Sequence, residues 1–253
     1  MYAEERQQRI VEQARTQGRA EVAALAVDLG VTAETIRRDL TALERHGLLR
    51  RVHGGAIPVD RLRFEPALAT RDAVRQDEKE RIALRALDEL RDAATVLLDA
   101  GSTTSRLAEL LPRDRELTVV TDSIAIATTL ASRPNVNLLL LGGRVRSRTM
   151  AAVGDWTTAQ LRALLVDVAF VGTNGVSIAR GLTTPDPDEA AVKRAMIAAG
   201  RHVVVLADHT KVGDDQFARF GGLSDVDVLI TDEALDAATA TELAAAGPRV
   251  ERA

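Results

Sequence analysis

Six short apolar segments constrain the fold of this 253-residue chain more than any other feature. Each is a continuous run rich in Val, Leu and Ile, which is the pattern of a strand buried on both faces of a sheet. Stretches with helical periodicity separate them, and strand–helix alternation is typical of a doubly wound, mostly parallel sheet. We therefore predict an α/β domain over residues 78–253, with strands at 95–100, 117–122, 136–142, 166–172, 202–208 and 226–232.

The first part of the chain follows a helical pattern instead. Apolar residues recur at helical spacing in 5–15 and 21–29, and Gly30 stands where a helix-ending glycine is expected. Thr32 is a natural N-cap for a third helix. The apolar stripe of that helix, which would face its own core, consists of Ile36, Leu40 and Leu43.

A hairpin and a linker follow these helices. Short strands are predicted at 48–52 and 56–59, so residues 1–57 are predicted to form a winged helix-turn-helix domain. Residues 58–77 hold two prolines and many charges and show weak periodicity. This composition indicates a linker between the helical domain and the α/β domain.

Charge on the third helix points to nucleic acid, although the whole chain carries a net charge of −4. Residues 37–53 contain five Arg against one Asp and one Glu, so the local potential is positive. At about 100° per residue, a polar face lies opposite the apolar stripe, where its side chains can reach bases and phosphates in a major groove. That face and its borders carry Glu34, Thr35, Arg37, Arg38, Thr41 and Arg45.

Small and polar residues follow five of the predicted strands. Ligands of doubly wound sheets bind beyond the carboxyl ends of the strands, where Gly admits a ligand and helix N-termini offer N–H groups to an anion. Each of these residues alone is of a type that is common in turns. Because five strand ends carry them, we predict an anion pocket with carboxylates that could bind sugar hydroxyls. The candidate effector-binding residues are Asp99, Gly101, Ser102, Thr103, Thr104, Asp122, Ser123, Gly143, Arg144, Gly172, Asn174, Gly175, Glu189, Asp208 and Lys211.

The sequence lacks the marks of several other classes of protein. The absence of Cys excludes disulfides, thiolate metal sites and cysteine nucleophiles, and the four His lack the spacing of metal ligands. A dinucleotide-binding G-x-G-x-x-G, a Walker A loop and a G-x-S-x-G elbow are absent. We therefore predict no catalytic residues, cofactor or metal. With no signal peptide and no apolar run of about 20 residues, we expect a cytoplasmic protein.

At this point the motifs resemble one family. Residues 31–56, with TIRRDL at 35–40 and RVHGGA at 51–56, look very much like the winged-helix segment of DeoR-family regulators. The resemblance covers nearly the whole chain. It continues through DAGSTT at 99–104, LGG at 141–143, Gly154, FVGTNG at 170–175, GLT at 181–183 and LADHTK at 206–211.

The resemblance implies a function for each domain. The α/β domain would be similar to ribose-5-phosphate isomerase, but used to sense a phosphorylated sugar that relieves repression of a sugar-catabolic operon. Its phosphate would lie on residues 101–104, with Lys211 as a second candidate. Together with the helix face, the resemblance gives the candidate DNA-binding residues: Thr32, Thr35, Arg37, Arg38, Thr41 and Arg45 with the third helix, and Arg51 and His53 in the wing.

Two strand ends depart from the family pattern. Asp122 stands where the family often has Asn, which adds negative charge near the pocket and bears on effector choice. Residues 208–211 read Asp-His-Thr-Lys, where the family often has Asp-Ser-Ser-Lys.

The regulator would be a homodimer or higher homo-oligomer, because one helix buries little area and a dimer reads paired half-sites of double-stranded operator DNA. One alternative is a sugar-phosphate isomerase that carries a DNA-binding appendage, with Asp122 or Glu189 as base and Lys211 binding charge. Another is an activator or architectural DNA-binding protein without a small-molecule ligand.

Overall fold

The computed structural model describes residues 3–45, 48–52, 54–58 and 67–253. They form two compact units, Met1–Pro66 and Ala67–Ala253, each with a hydrophobic core of its own. The predicted linker, 58–77, spans the division between the units.

The first unit combines three helices with a small antiparallel sheet. Its elements are α1 (Ala3–Gln17), β1 (Ala20–Glu21), α2 (Val22–Asp28), α3 (Ala33–Arg45), β2 (Leu49–Val52) and β3 (Gly55–Pro58). The sheet order is β1-β3-β2, and the β2–β3 hairpin forms the wing. The predicted stripe of α3 is buried in the core with Ile10, Leu25 and Leu49.

Sequence periodicity does not predict β1, because two residues carry no period. β1 pairs Ala20 with Ala56 and Glu21 with Gly55. A Cβ atom at Gly55 would lie only 2.1 Å from the Ala20 carbonyl oxygen, so this close approach of two backbones requires glycine.

The second unit alternates strands and helices. It begins with α4 (Leu68–Asp72), α5 (Gln76–Ala86), β4 (Thr95–Leu98), α6 (Ser102–Leu110), β5 (Leu117–Thr121), α7 (Ile124–Leu130), β6 (Val136–Leu140), β7 (Arg144–Arg146), β8 (Ala151–Val153) and α8 (Asp155–Arg162). It continues with β9 (Val166–Gly172), β10 (Gly175–Ser177), β11 (Gly181–Thr184), α9 (Pro187–Ala199), β12 (Gly200–Leu206), β13 (Ala218–Gly221), β14 (Val228–Thr231), α10 (Ala237–Ala245) and β15 (Arg249–Arg252).

Seven parallel strands form the central sheet, in the order β15-β14-β12-β9-β4-β5-β6. Helices cover both faces: α5, α6 and α7 pack on one, and α8, α9 and α10 on the other. In β4, Leu97 points to one core while Val96 and Leu98 point to the other, which explains the continuous apolar runs. The predicted doubly wound fold and its six strands are confirmed.

Two small antiparallel sheets supplement the large one: β7 pairs with β8, and β11 pairs with β10 and β13. The β7–β8 hairpin joins the carboxyl edge, which we define as the edge where the seven parallel strands end. There Ala152 N donates to Asp122 O at 2.8 Å. No helix among the described residues is long and apolar enough to cross a membrane.

Candidate functional site

Helix α3 presents a polar face that is separate from the core. Thr32 caps the helix by accepting a hydrogen bond from Thr35 N at 3.2 Å. The side chains of Arg37 and Arg38 are 53% and 82% exposed, as expected of groups that bind DNA. Glu34 lies 3.3 Å from Arg37 and 4.0 Å from Arg38, and such exposed ion pairs are weak enough for phosphates to displace.

The wing is tied to α3 through Arg51. Its backbone N–H donates to Glu44 Oε1 at 2.9 Å, and its Nη1 donates to Thr41 Oγ1 at 3.3 Å. Arg51 and Arg45 are exposed beside this contact. The structure therefore groups the predicted residues of helix and wing on one surface, except His53, which lies outside the described residues.

Sequence reasoning missed the buried ion pair that orients α3. Asp39 is 4% exposed, and its carboxylate accepts hydrogen bonds from Arg6 Nε at 2.5 Å and from Gln7 Nε2 at 3.1 Å. Both partners lie on α1, so these contacts fix α3 against α1. The sequence did not indicate that Asp39 is buried, because a single acidic residue in an Arg-rich stretch has the pattern of an exposed charge.

In the second unit, three predicted strand ends meet around a buried lysine. Lys193 Nζ on α9 contacts Asp99 Oδ2 and donates to Gly172 O at 3.0 Å. Asp99 Oδ2 also accepts from Gly172 N at 2.8 Å. Asp122 Oδ1 accepts from Ala100 N at 2.9 Å. Lys193 thus supplies the positive charge that lets these carboxylates be buried together.

Asp122 differs from its neighbours in protonation. Burial, together with the negative charge of Asp99, raises the pKa of Asp122 well above its ordinary value, although Lys193 opposes the shift. The raised pKa favours the protonated carboxyl, which is uncharged and can donate a hydrogen bond as the amide of Asn does. This shift opposes the added negative charge that the sequence predicts at position 122.

We expect the substitution Asp122→Asn to stabilise the chain increasingly as pH rises. Between the pKa of the unfolded chain and the raised pKa of Asp122, the folded protein binds more protons than the unfolded one. The free energy of unfolding of the wild type therefore falls with rising pH in that window, by up to about 1.4 kcal/mol per unit, and the variant lacks this loss. Urea unfolding at pH 5 and pH 8 gives the free energy of unfolding of both proteins. If that free energy changes with pH by the same amount in the wild type and in the variant, the prediction is contradicted.

Glu189 belongs to a second buried network at the same edge. It accepts hydrogen bonds from Arg146 Nη1 at 3.0 Å, Thr149 Oγ1 at 2.5 Å and Thr184 Oγ1 at 3.3 Å. Thr184 Oγ1 also lies 3.0 Å from Asn174 Oδ1, so its single hydroxyl hydrogen is shared between Glu189 and Asn174. The sequence pointed to Glu189 and Asn174 but not to their partners. Glu189 and Lys193 are four residues apart on one helix. That spacing was the signal in the sequence that could have placed a basic group near Glu189.

Helix α6 begins at the same edge of the sheet, directly after β4. Residues 101–104 form its amino terminus, where helical N–H groups have no partner within the helix, and Ser102, Thr103 and Thr104 are buried. Thr104 Oγ1 donates to Asp99 O at 2.6 Å, which links this turn to the buried lysine cluster. In the sheet order, β4 and β9 are neighbours and β12, with Asp208 and Lys211 beyond it, is next.

Lys79 on α5 is a further basic group here that the sequence did not reveal. It is 5% exposed, and its Nζ contacts Arg71 O and donates to Val74 O at 2.6 Å. Burial lowers the pKa of Lys79 to about 8. The negative charge of Asp208 raises this pKa, and the positive charge of Lys211 lowers it further. Lys79 therefore shares the electrostatic environment of two predicted effector residues.

Four other predicted residues have packing, ion-pair or capping contacts within the second unit. A Cβ at Gly143 would lie 2.1 Å from Thr157 Oγ1, and one at Gly175 would lie 1.6 Å from Asp214 O, so both glycines permit close packing. Arg144 is exposed and pairs with Asp188. Ser123 caps α7 by accepting from Ile126 N at 3.2 Å.

These two units define a class: winged helix-turn-helix regulators with an α/β sensor domain. The model of the DeoR-like helix-turn-helix domain matches residues 6–61, and that of the DeoR C terminal sensor domain matches residues 74–233. The chain belongs to the DeoR family of transcriptional regulators, which confirms the resemblance seen in the sequence.

Two known regulators resemble the chain along most of its length, and a known enzyme aligns with about half of it. The HTH-type transcriptional regulator GlpR of Haloferax volcanii is 38% identical over 250 residues, covering 99% of this chain and 98% of that protein. The glycerol-3-phosphate regulon repressor of Escherichia coli is 32% identical over 224 residues, 88% of each chain. The ribose 5-phosphate isomerase A of Methanocaldococcus jannaschii aligns with 54% of each chain at 18% identity and a TM-score of 0.40.

Proposed function

We propose that the chain represses a carbohydrate operon and that a phosphorylated sugar or polyol, bound at the carboxyl edge, releases it from its operator. The distribution of lysine carries this proposal. The chain has 33 basic residues, of which only three are lysines, namely Lys79, Lys193 and Lys211. All three lie at or beside the carboxyl edge, where compact ammonium groups suit a phosphate and its neighbouring carboxylates.

The pocket has a different chemistry at each end. The amino terminus of α6 with Lys79 and Lys211 supports a phosphate, because backbone N–H groups and ammonium groups both favour an anion. Asp99, Asp122 and the Glu189 network support hydroxyl groups. A phosphorylated polyol matches both ends. Glycerol 3-phosphate, for which the Escherichia coli relative is named, is the first compound to test.

We propose that the pocket binds its ligand without turning it over. An isomerase needs a base that is free to take a proton from carbon. Glu189 already accepts three hydrogen bonds from Arg146, Thr149 and Thr184, and the raised pKa of Asp122 favours its protonated form. This arrangement supports sensing in a cytoplasmic DNA-binding protein.

Helix α4, which lies within the predicted linker, is the proposed relay from the pocket. Leu68 N donates to Arg148 O at 2.9 Å, next to Thr149 of the Glu189 network. Asp72 lies 3.5 Å from Arg106 on α6, the helix that begins at the proposed phosphate site. A ligand that prefers one arrangement of these contacts would shift the pose of α4 and hence of paired DNA-binding units.

The test combines operator binding with a lysine variant. Fluorescence anisotropy with the DNA upstream of the chain's own gene should show binding that glycerol 3-phosphate or another phosphorylated sugar weakens and free glycerol does not. We expect Lys211→Met to raise the half-effective ligand concentration by about 10- to 100-fold, since a charge-assisted hydrogen bond contributes about 1.5–3 kcal/mol.

The matched control is Arg162→Met, which removes an exposed basic group on α8. It should leave both operator affinity and ligand response unchanged. Absence of any sequence-specific binding would contradict the repressor. Specific binding that no phosphorylated sugar alters would contradict the sensor and favour a regulator without a small-molecule ligand.

A further inference from the structure

A cavity of about 320 Å³ lies at the edge of the large sheet opposite the carboxyl edge. It is formed by the ends of α6 and α7 and by the segments that lead into β5 and β6, where these parallel strands begin. A strand of five residues spans roughly 16 Å, so this cavity is separate from the proposed effector pocket. Its polar lining consists of Glu109, Arg113, Thr129, Ser132, Arg133 and Asn135.

Arg133 brings a buried positive charge to this cavity. It is 8% exposed, and its Nη2 donates to Leu111 O at 2.8 Å and to Pro112 O at 2.7 Å. Its Nε–H is buried without a hydrogen-bond partner, and no carboxylate of the described residues pairs with the guanidinium. Backbone carbonyls carry only partial charges, whereas buried ions are ordinarily paired with a full opposite charge. The charge of Arg133 is therefore only partly compensated.

A second guanidinium group, that of Arg113, lines the same cavity. Arg113 is exposed, and it makes no hydrogen bond or ion pair within the part of the chain that the structure describes. Burial and, after it, the positive charge of Arg113 lower the pKa of Arg133, so the two cations repel each other. An anion bound between them would offset this repulsion.

The other lining groups leave the cavity positive. Glu109 is the one carboxylate of the lining, and it pairs with Arg106 at 3.1 Å. Ser132 is exposed, and its hydroxyl makes no hydrogen bond among the described residues, so it can donate one to a ligand oxygen. Two arginines and a hydroxyl group therefore outweigh one carboxylate that already has a partner.

Internal hydrogen bonds fix the shape of the cavity. Asn135 Nδ2 donates to Pro112 O at 2.9 Å and to Arg115 O at 2.8 Å, which ties the loop between α6 and β5 to the start of β6. Arg133 holds the same loop through Pro112 O. A preformed site loses little conformational entropy when it binds a ligand. The volume of the cavity is at the lower end of the range of small-molecule sites, which is about 300–1,000 Å³.

We propose that this cavity binds a small metabolite through a phosphate or carboxylate group and forms a second anion site of the chain. Guanidinium groups bind both kinds of oxyanion through paired, charge-assisted hydrogen bonds. The two sites differ in chemistry. The three lysines, Lys79, Lys193 and Lys211, lie at or beside the carboxyl edge, whereas this cavity uses Arg113 and Arg133.

The experiment measures the binding of citrate and of inorganic phosphate to the full chain by isothermal titration calorimetry, in a chloride buffer of constant ionic strength. It uses the Lys211→Met variant, in which the proposed effector site is weakened. We expect one saturable site per chain for at least one of the two anions, and the tighter of them distinguishes a carboxylate from a phosphate ligand. Adding Arg113→Gln should raise its dissociation constant by about 10- to 100-fold, because one guanidinium contact is lost.

The matched control is Arg162→Gln in the same background, because Arg162 is also an exposed arginine without a partner among the described residues. It should leave the dissociation constant unchanged, and circular dichroism establishes that each variant is folded. The proposal is overturned if neither anion shows saturable binding up to about 10 mM. It is also overturned if Arg113→Gln has no effect or if Arg162→Gln weakens binding equally.

Comparison with the wild type separates the two sites. If an anion binds the wild type but not the Lys211→Met variant, it occupies the carboxyl edge, which overturns the second site and leaves the proposed function standing. Failure of the proposed function is seen instead in operator binding that phosphorylated sugars do not alter, and the calorimetric titrations contain no operator.

Discussion

Replacing Arg37 and Arg38 together by alanine is expected to weaken operator binding by at least about 100-fold and to leave sugar-phosphate binding unchanged. Each contact of an arginine with a base or phosphate contributes about 1–3 kcal/mol, and the double variant removes two such groups from every DNA-binding unit. Both side chains are more than half exposed, so their loss removes no core packing. The buried stripe of α3 and the Arg6–Asp39 pair remain intact.

Salt titration separates contacts to phosphates from contacts to bases. If either arginine binds a phosphate, the slope of the logarithm of affinity against the logarithm of salt concentration falls by about one per lost contact. Arg9→Ala is the matched control, because Arg9 is an exposed arginine of the same unit on α1. A double variant with wild-type affinity and wild-type salt slope would place the DNA-binding surface elsewhere in the chain.

The architecture could be predicted from the sequence because burial leaves a periodic signal. The segments that form β4 and β9 are apolar at successive residues, as expected of strands buried on both faces. The spacing of Ile36, Leu40 and Leu43 identifies the buried side of α3. The edge strand β15 escaped prediction, since a charged four-residue strand has no such period. Its place in the sheet depends on pairing with β14, which is a long-range contact.

The site was predictable only in part, for a related reason. Glycines and hydroxyl residues after a strand indicate a ligand-binding edge, but they do not show which charged groups reach it. Lys193 meets Asp99 across 94 residues of sequence, and Lys79 reaches the edge from a helix that precedes the first strand of the sheet. At Gly143 and Arg144 the structure shows close packing and a surface ion pair, which the composition of the turn did not predict.

Lys193 is the position where a single substitution should most reduce stability. Lys193→Met keeps much of the side-chain volume but leaves Asp99, which is 2% exposed, without its counter-charge. Burial lowers the pKa of Lys193, yet Asp99 and Glu189 raise it above its ordinary value, so the charged form is the one that the cluster holds. Removing one partner of a buried ion pair costs about 3–5 kcal/mol. We expect the melting temperature of the second unit to fall by roughly 10 °C.

A second substitution distinguishes a lost charge pair from lost packing. In Asp99→Asn/Lys193→Met, no unpaired carboxylate remains at position 99, so most of the lost free energy of unfolding should return. Urea unfolding of the full chain, followed by circular dichroism, measures both variants and the Asp99→Asn single variant that completes the cycle. If the double variant is as unstable as Lys193→Met alone, then Lys193 acts through packing around its aliphatic stem. The ion pair would then contribute little to holding together the strand ends of the proposed pocket.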